Sequence, residues 1–262
     1  MMKLLLLATL FLFPCHARAL GLSSIMRYTR VVKVASPPAG HFDVFSIVGS
    51  TVTSWYRADS GLSPTTPGDT ITSWNDLSAT ANHLTTIAGT PKVSTTTQNG
   101  LPMVRCYGDT NYLMGTDKAD TAQPTTIFMV VKPTTWNANK WQKVLSMQSG
   151  YQDVYRLDDR ANLIGAAGAV MEGPLVTNNV TQLWTVILNG NSSSAAINGD
   201  AASGGTAAGT NTNTNYPVVC NREYLDMGFV GYIAEILIYR GTLSAPDLAA
   251  VKAGLNSWWT IY

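Results

Sequence analysis

The chain reads as all-β: a two-sheet antiparallel sandwich of jelly-roll type, closed by one short C-terminal helix. Three observations carry that reading. Short runs rich in Val, Ile, Thr, Tyr and Trp recur along the chain, divided by Gly, Asn and Pro turns. Near the C-terminus, Gly231-Tyr232-Ile233-Ala234-Glu235-Ile236-Leu237-Ile238-Tyr239 is too apolar for a surface segment, and its β-branched residues favour a strand. Just beyond it, Ser244 followed three residues later by Asp247 marks the start of a helix.

Composition narrows the setting. A length of 262 residues admits one large or two small domains, and a sandwich of this size is commonly one. Hydrophobic residues make up 45% of the chain, ample for a sizeable core. Charged residues make up only 13%, well below the roughly 25% of ordinary soluble domains. Ser, Thr, Asn, Gly and Ala fill the gap. That balance suits an extracellular or particle-bound protein better than a cytosolic enzyme. A net charge of +1 gives no electrostatic case for nucleic acid as a partner.

Residues 1–19 read as a secretory signal. Lys3 gives the positive start, residues 4–13 the apolar run, Pro14 its end, and Ala17-Arg18-Ala19 a small-x-small cleavage site. The run is too short for a stable membrane span. The competing reading is a buried arm used in assembly. Residues 20–49 read as an N-terminal arm or linker that includes Ser36-Pro37-Pro38-Ala39-Gly40. The sandwich is expected over 50–262, with order beginning near Phe42 or Val48.

From Ser50 the β pattern is steady. Strands are expected over 52–56, 71–74, 103–107, 126–132, 143–147, 153–157, 161–164 and 183–188. Residues 194–201 read as a hairpin, with Asn198-Gly199 suited to a type I′ turn. Residues 204–215 carry too little apolar mass to pack and read as an exposed loop. The last helix is expected over 245–258. Ser244 caps it, Leu243 and Leu248 form a staple, and Leu248, Val251, Leu255 and Trp258 or Trp259 make its apolar face. With Cys15 in the signal-like segment, Cys106 and Cys220 remain. They either pair or stay free as buried thiols on strands.

Three stretches together resemble the laminin-G-like, concanavalin-A-like lectin family in its bacterial and phage surface form. They are Trp55-Tyr56-Arg57-Ala58-Asp59 with Trp74-Asn75-Asp76-Leu77-Ser78, then residues 126–133, then residues 231–239 with the closing helix. The resemblance covers residues 50–262. It implies a jelly roll that binds glycan, protein or calcium more often than it catalyses, and it fixes no ligand.

Candidate chemistry is sparse. Glu235 is the one charge in the apolar closing strand, so it needs a partner. The expected role is a structural anchor that accepts hydrogen bonds from loop backbone or an arginine. Asp59 and Asp76, assisted by Asn75 and Asn82, are candidate oxygen ligands for Ca2+; the competing reading is that they are ordinary turn residues. The polar segment over 134–140 carries two tryptophans at its margins. Trp136, Asn137, Asn139, Lys140 and Trp141 are therefore the candidate ligand surface, with the indoles as sugar-stacking platforms.

Catalysis finds little support. Glycosidases need two carboxylates about 5–10 Å apart. The glutamates here are only Glu172, Glu223 and Glu235, and Asp158 and Asp159 are adjacent, so they point to opposite faces of a strand. The leading expectation is a non-enzymatic recognition module for a glycan or surface protein, displayed outside the cell, on its surface or on a virion. The second is a structural subunit of a virion or extracellular assembly, a homo-oligomer or larger, with the N-terminal segment as an arm between subunits. The third is a carbohydrate-active enzyme.

Overall fold

The computed structural model describes residues 40–48, 51–116, 122–135, 140–147, 152–156, 162–204, 208–211 and 216–262. The signal-like segment and most of the expected arm lie outside them.

The body is a sandwich of two antiparallel sheets with a helix, Ala245–Trp259, on the outer face of the first. The first sheet has eight strands. In spatial order they are Ser203–Gly204, Ser194–Ile197, Gln182–Leu188, Thr125–Pro133, Val230–Arg240, Leu101–Tyr107 and Lys92–Gln98, with Val52–Arg57 also paired to Val230–Arg240. The second sheet has nine, running from Val170–Leu175 through Asn162–Ala166, Gln152–Arg156, Gln142–Met147, Pro217–Val219, Tyr112–Gly115, Leu84–Ala88 and Ser73–Trp74 to Leu62–Ser63.

The closing strand, Val230–Arg240, is central to the first sheet. One edge pairs along nearly its whole length with Thr125–Pro133. The other edge is shared end to end: residues 230–233 pair with Leu101–Tyr107, and residues 235–239 with Val52–Arg57. Burial on both faces explains why its sequence is continuously apolar rather than alternating.

A one-residue irregularity at Ala234 sets the side-chain directions. The register against Thr125–Pro133 shifts between Ile233 and Glu235. Ile233, Ile236 and Ile238 belong to the core between the sheets, while Ala234, Leu237 and Tyr239 belong to the core under the helix. In a regular strand Glu235 would share the face of Ile233. The bulge turns it to the helix side instead.

The helix forms as expected and ends one residue later. Ser244 accepts from the Asp247 backbone N–H at 3.3 Å, and its hydroxyl donates to the Asp247 carboxylate at 2.6 Å. Val251, Leu255 and Trp259 are the buried residues of its face. Burying such side chains stabilises by roughly 1.5–3 kcal/mol each, so packing holds this helix more than propensity does. A short helix, Val44–Val48, lies against it, and Phe42, Val44, Phe45 and Ile47 join the same core. The last residues of the expected arm are therefore part of the body. Gly254 permits that contact, because a Cβ there would come within 2.5 Å of the Phe42 ring.

The hairpin after Ser194–Ile197 differs from expectation. Ser194 pairs with Gly204 and Ala195 with Ser203, so residues 198–202 form a wider loop. Asn198 has φ +57, but Gly199 is not in the left-handed region that a type I′ turn requires. The two-residue turn lies at another Asn-Gly, Asn99-Gly100. Gln98 pairs with Leu101, and Asn99 and Gly100 have φ +50 and +75. Several strands escaped the sequence reading, among them Lys92–Gln98 and Leu84–Ala88, because Thr and Ser dilute their apolar pattern.

Cys106 and Cys220 form a disulfide, which settles the open alternative. Cys106 lies on a strand of the first sheet and Cys220 directly follows a strand of the second, so the bond ties the sheets together.

Candidate functional site

Glu235 is anchored, but not by the expected partners. Its side chain is 1% exposed. Oε1 accepts from the Trp55 indole at 2.6 Å; Oε2 accepts from the Trp259 indole at 2.6 Å and faces His41 Nε2 at 3.3 Å. Two indoles and a histidine replace the arginine or loop backbone expected for it, because the bulge aims the carboxylate into the helix-side core, which Trp55 and Trp259 also enter. Arg57 stands directly opposite Glu235 in the sheet register, yet its guanidinium turns to Asp59.

Asp59 is held by Arg57, with Nε to Oδ1 at 3.0 Å and Nη2 to Oδ2 at 2.6 Å, and by the Trp258 indole at 3.1 Å. Asp76 accepts from the backbone N–H groups of Trp55, Ser78 and Asn82 and from the Ser78 hydroxyl, all within 2.9 Å. Burial pushes the Asp76 carboxyl above the usual range, against the pull of those hydrogen bonds. A cation at either carboxylate would have to displace these donors. Among the described residues, no group of three or more His, Cys, Asp or Glu is placed to hold a metal ion.

Of the candidate ligand surface, Trp136, Asn137 and Asn139 lie outside the described residues, while Lys140 and Trp141 are described. Lys140 pairs with Asp109, whose Oδ1 accepts from the Gly228 N–H at 2.8 Å. Trp141 is 39% exposed and lies nearly parallel to Tyr155, with centroids 5.5 Å apart and planes 16° apart. Lys143 Nζ lies 5.9 Å from the Tyr155 ring and pairs with Asp153 at 2.6 Å. Lys143 and Asp153 are both buried. Burial and the charge of Asp153 push the Tyr155 hydroxyl far above its ordinary range, so it stays neutral. Tyr155 thus supports one face of an exposed indole.

More of the site was not singled out from sequence. Tyr107 is 44% exposed and stands between two hollows. On one side, a hollow of about 210 Å³ is lined by Gly108, Asp109, Lys140, Gln142, Gly228 and Val230 with Tyr107. On the other, a hollow of about 100 Å³ is lined by Lys92, Ser94, Thr95, Arg105 and Tyr232 with Tyr107. Elsewhere, Tyr224 is 63% exposed with the Arg222 guanidinium over its ring, and that guanidinium binds Asp226. That arginine holds the Asp226 carboxyl below the usual range. Tyr107, Trp141 and Tyr224 are thus three exposed aromatic rings, of which Tyr107 lines both hollows. The i, i+2 spacing of Arg105 and Tyr107 on an expected strand was the available signal, since it puts both on one face. A wider hollow of about 500 Å³ lies beside Arg240 and Gln123 and has no aromatic lining.

No family model and no curated protein matches the chain. Solved structures match in fold. Domain 4 of the GH43 extracellular arabinanase AbnA from Geobacillus stearothermophilus, in complex with arabinotriose, is 15% identical with a TM-score of 0.54; the match covers 77% of this chain and 98% of that one. A GH54 α-L-arabinofuranosidase soaked with a cyclic sulfate inhibitor is 11% identical with a TM-score of 0.64, over 82% of this chain and 64% of that one. The binding domain of Botulinum Neurotoxin DC in complex with SialylT is 10% identical with a TM-score of 0.54, over 78% of this chain and 52% of that one. The chain therefore shares the β-sandwich architecture of these structures. Among the described residues, no helix is long and apolar enough to cross a membrane.

Proposed function

We propose that this chain is a non-catalytic, lectin-like glycan-binding module of the laminin-G-like, concanavalin-A-like kind, acting outside the cell. The observation that carries the reading is the Trp141 platform. An exposed indole backed by Tyr155 offers a flat apolar face, and Lys140, its neighbour in the chain, is a polar group of the same segment. Sugar rings present the complementary surface, an apolar face bordered by hydroxyls. The sandwich neighbours include an arabinanase domain bound to arabinotriose and a toxin binding domain bound to SialylT. The Cys106–Cys220 bond supports an oxidising compartment. A binding role without catalysis is supported by the state of the carboxylates, since Glu235 is sealed under the helix and Asp153 is buried against Lys143.

The test is a glycan array followed by titration of the best ligand. Trp141→Ala should weaken binding about tenfold or more, in line with the loss of one stacked ring worth on the order of 1.4 kcal/mol. An array without hits, or affinity unchanged in Trp141→Ala, sinks the reading. Turnover of the bound glycan would overturn the non-catalytic part.

A further inference from the structure

The smaller hollow beside Tyr107 has a chemistry of its own. Lys92 pairs with Arg105, Arg105 with Tyr232, and Tyr232 with Lys132 in the registers of four successive strands. Directly paired residues of an antiparallel sheet project from the same face, so three cations and a tyrosine form one row. In a chain with only 17 Lys and Arg, that clustering is uncommon. Among the described residues, none of the three has a carboxylate within ion-pair distance, whereas Lys140, Lys143, Arg57 and Arg222 all do.

Arg105 is held as a recognition group. Its guanidinium lies 4.4 Å from the Tyr232 ring and 5.3 Å from the Tyr107 ring. One nitrogen, Nη1, donates to the Thr134 hydroxyl at 3.2 Å, and this is its only hydrogen bond among the described residues. Tyr232 is itself fixed through its hydroxyl, which accepts from Thr96 at 3.3 Å. A planar fork with spare N–H donors, clamped by aromatic rings, matches the two oxygens of a carboxylate. Ser94, Thr95 and Lys92 line the same hollow. A volume of about 100 Å³ is room for one acidic substituent. Tyr107 forms a shared wall with the larger hollow that Lys140 lines.

We propose that the hollow formed by Arg105, Lys92, Tyr107 and Tyr232 takes the carboxylate of an acidic sugar while the neighbouring surface around Tyr107 and Lys140 takes sugar rings. This rests on the glycan-binding reading and names its ligand class, a carboxylate-bearing saccharide.

The experiment compares four probes by calorimetric titration: a glucuronate-terminated oligosaccharide, its glucose-terminated counterpart, a sulfated counterpart, and polyglutamate, which has carboxylates but no sugar ring. Wild type should bind the uronate ligand about tenfold or more tighter than the neutral one, with a preference that shrinks at high salt. Arg105→Gln should abolish the preference and leave neutral binding unchanged. Lys92→Gln should reduce the preference in part. Both variants should unfold at the wild-type temperature. Equal affinity for acidic and neutral ligands, or a preference that survives Arg105→Gln, overturns the carboxylate site and leaves the glycan reading standing. Polyglutamate binding as tightly as the uronate ligand through Arg105 keeps the anion site and overturns the glycan reading. A tighter sulfated than carboxylated ligand overturns the carboxylate assignment. Absence of binding to every saccharide overturns both.

Discussion

Tyr232 and Glu235 sit three residues apart on one strand and face the same side of one sheet, in opposite surroundings. Around Glu235 that face is covered. The closing helix and residues 40–48 lie over it, and Trp55, Trp259 and His41 surround the carboxylate. Around Tyr232 the face opens into a hollow with Lys92 and Arg105. The edge partner changes at the same point, from Val52–Arg57 to Leu101–Tyr107. The contrast shows how one sheet face carries two kinds of charge. Under the helix the Glu235 carboxylate is held by two indole donors, one on each oxygen. Where the helix no longer covers it, a charge keeps hydrogen-bonding capacity for something else.

The largest effect that sharpens this contrast belongs to the sealed end. Glu235→Ala leaves two buried indole N–H groups without their acceptor, and should lower unfolding free energy by about 3 kcal/mol in a urea titration. A variant as stable as the wild type would show that the node does not hold the helix down. Asp76→Asn puts an amide N–H against backbone donors, so a loss of about 2 kcal/mol is expected. Trp259→Phe keeps an aromatic ring but removes half of a fully buried indole and one donor to Glu235, with an expected cost of about 2 kcal/mol. At the open end, Arg105→Gln should move stability by no more than about 0.5 kcal/mol, as for other surface changes. A loss comparable to that of Glu235→Ala would break the comparison.

Acid gives the finest test. The Asp226 carboxyl is lowered, first by its hydrogen bond from Arg222, so its contribution exists above the ordinary carboxylate range and is lost as pH falls through its lowered value. Asp76 is raised, mainly by burial, so its contribution is full at low pH and fades as pH rises through its raised value. Stability profiles of Asp226→Asn and Asp76→Asn should therefore depart from wild type in opposite senses, with the exposed pair giving the smaller departure.

The fold was legible where sequence pattern and burial coincide. The closing strand is apolar because both its faces are buried, and the helix announces itself through Ser244 and its spaced apolar residues. Strands such as Lys92–Gln98 were hidden because an edge strand needs no apolar alternation to pair. The three Asn-Gly pairs, at 99–100, 189–190 and 198–199, show the limit of turn chemistry. All offer residues able to adopt positive φ, and only strand register decides that residues 99 and 100 make the tight hairpin. The partners of Glu235 were hidden for a similar reason, since a bulge at Ala234 leaves no mark in the residue pattern. Of the site, Lys140 and Trp141 could be singled out as polar and aromatic neighbours. Lys92 and Arg105 face each other across one hairpin whose first strand was not recognised, while Tyr232 comes from the closing strand, and only pairing brings it to them.

The disulfide has a bearing on association itself. Cys106 lies between Arg105 and Tyr107, and Cys220 opens the segment that carries Arg222 and Tyr224. One covalent bond therefore ties the strand of Arg105 and Tyr107 to the segment of Arg222 and Tyr224, across the two sheets. Groups fixed in this way lose little freedom when a ligand arrives, so less of the contact free energy is spent on ordering the protein. On the proposed glycan-binding reading, reduction should show itself as faster ligand escape.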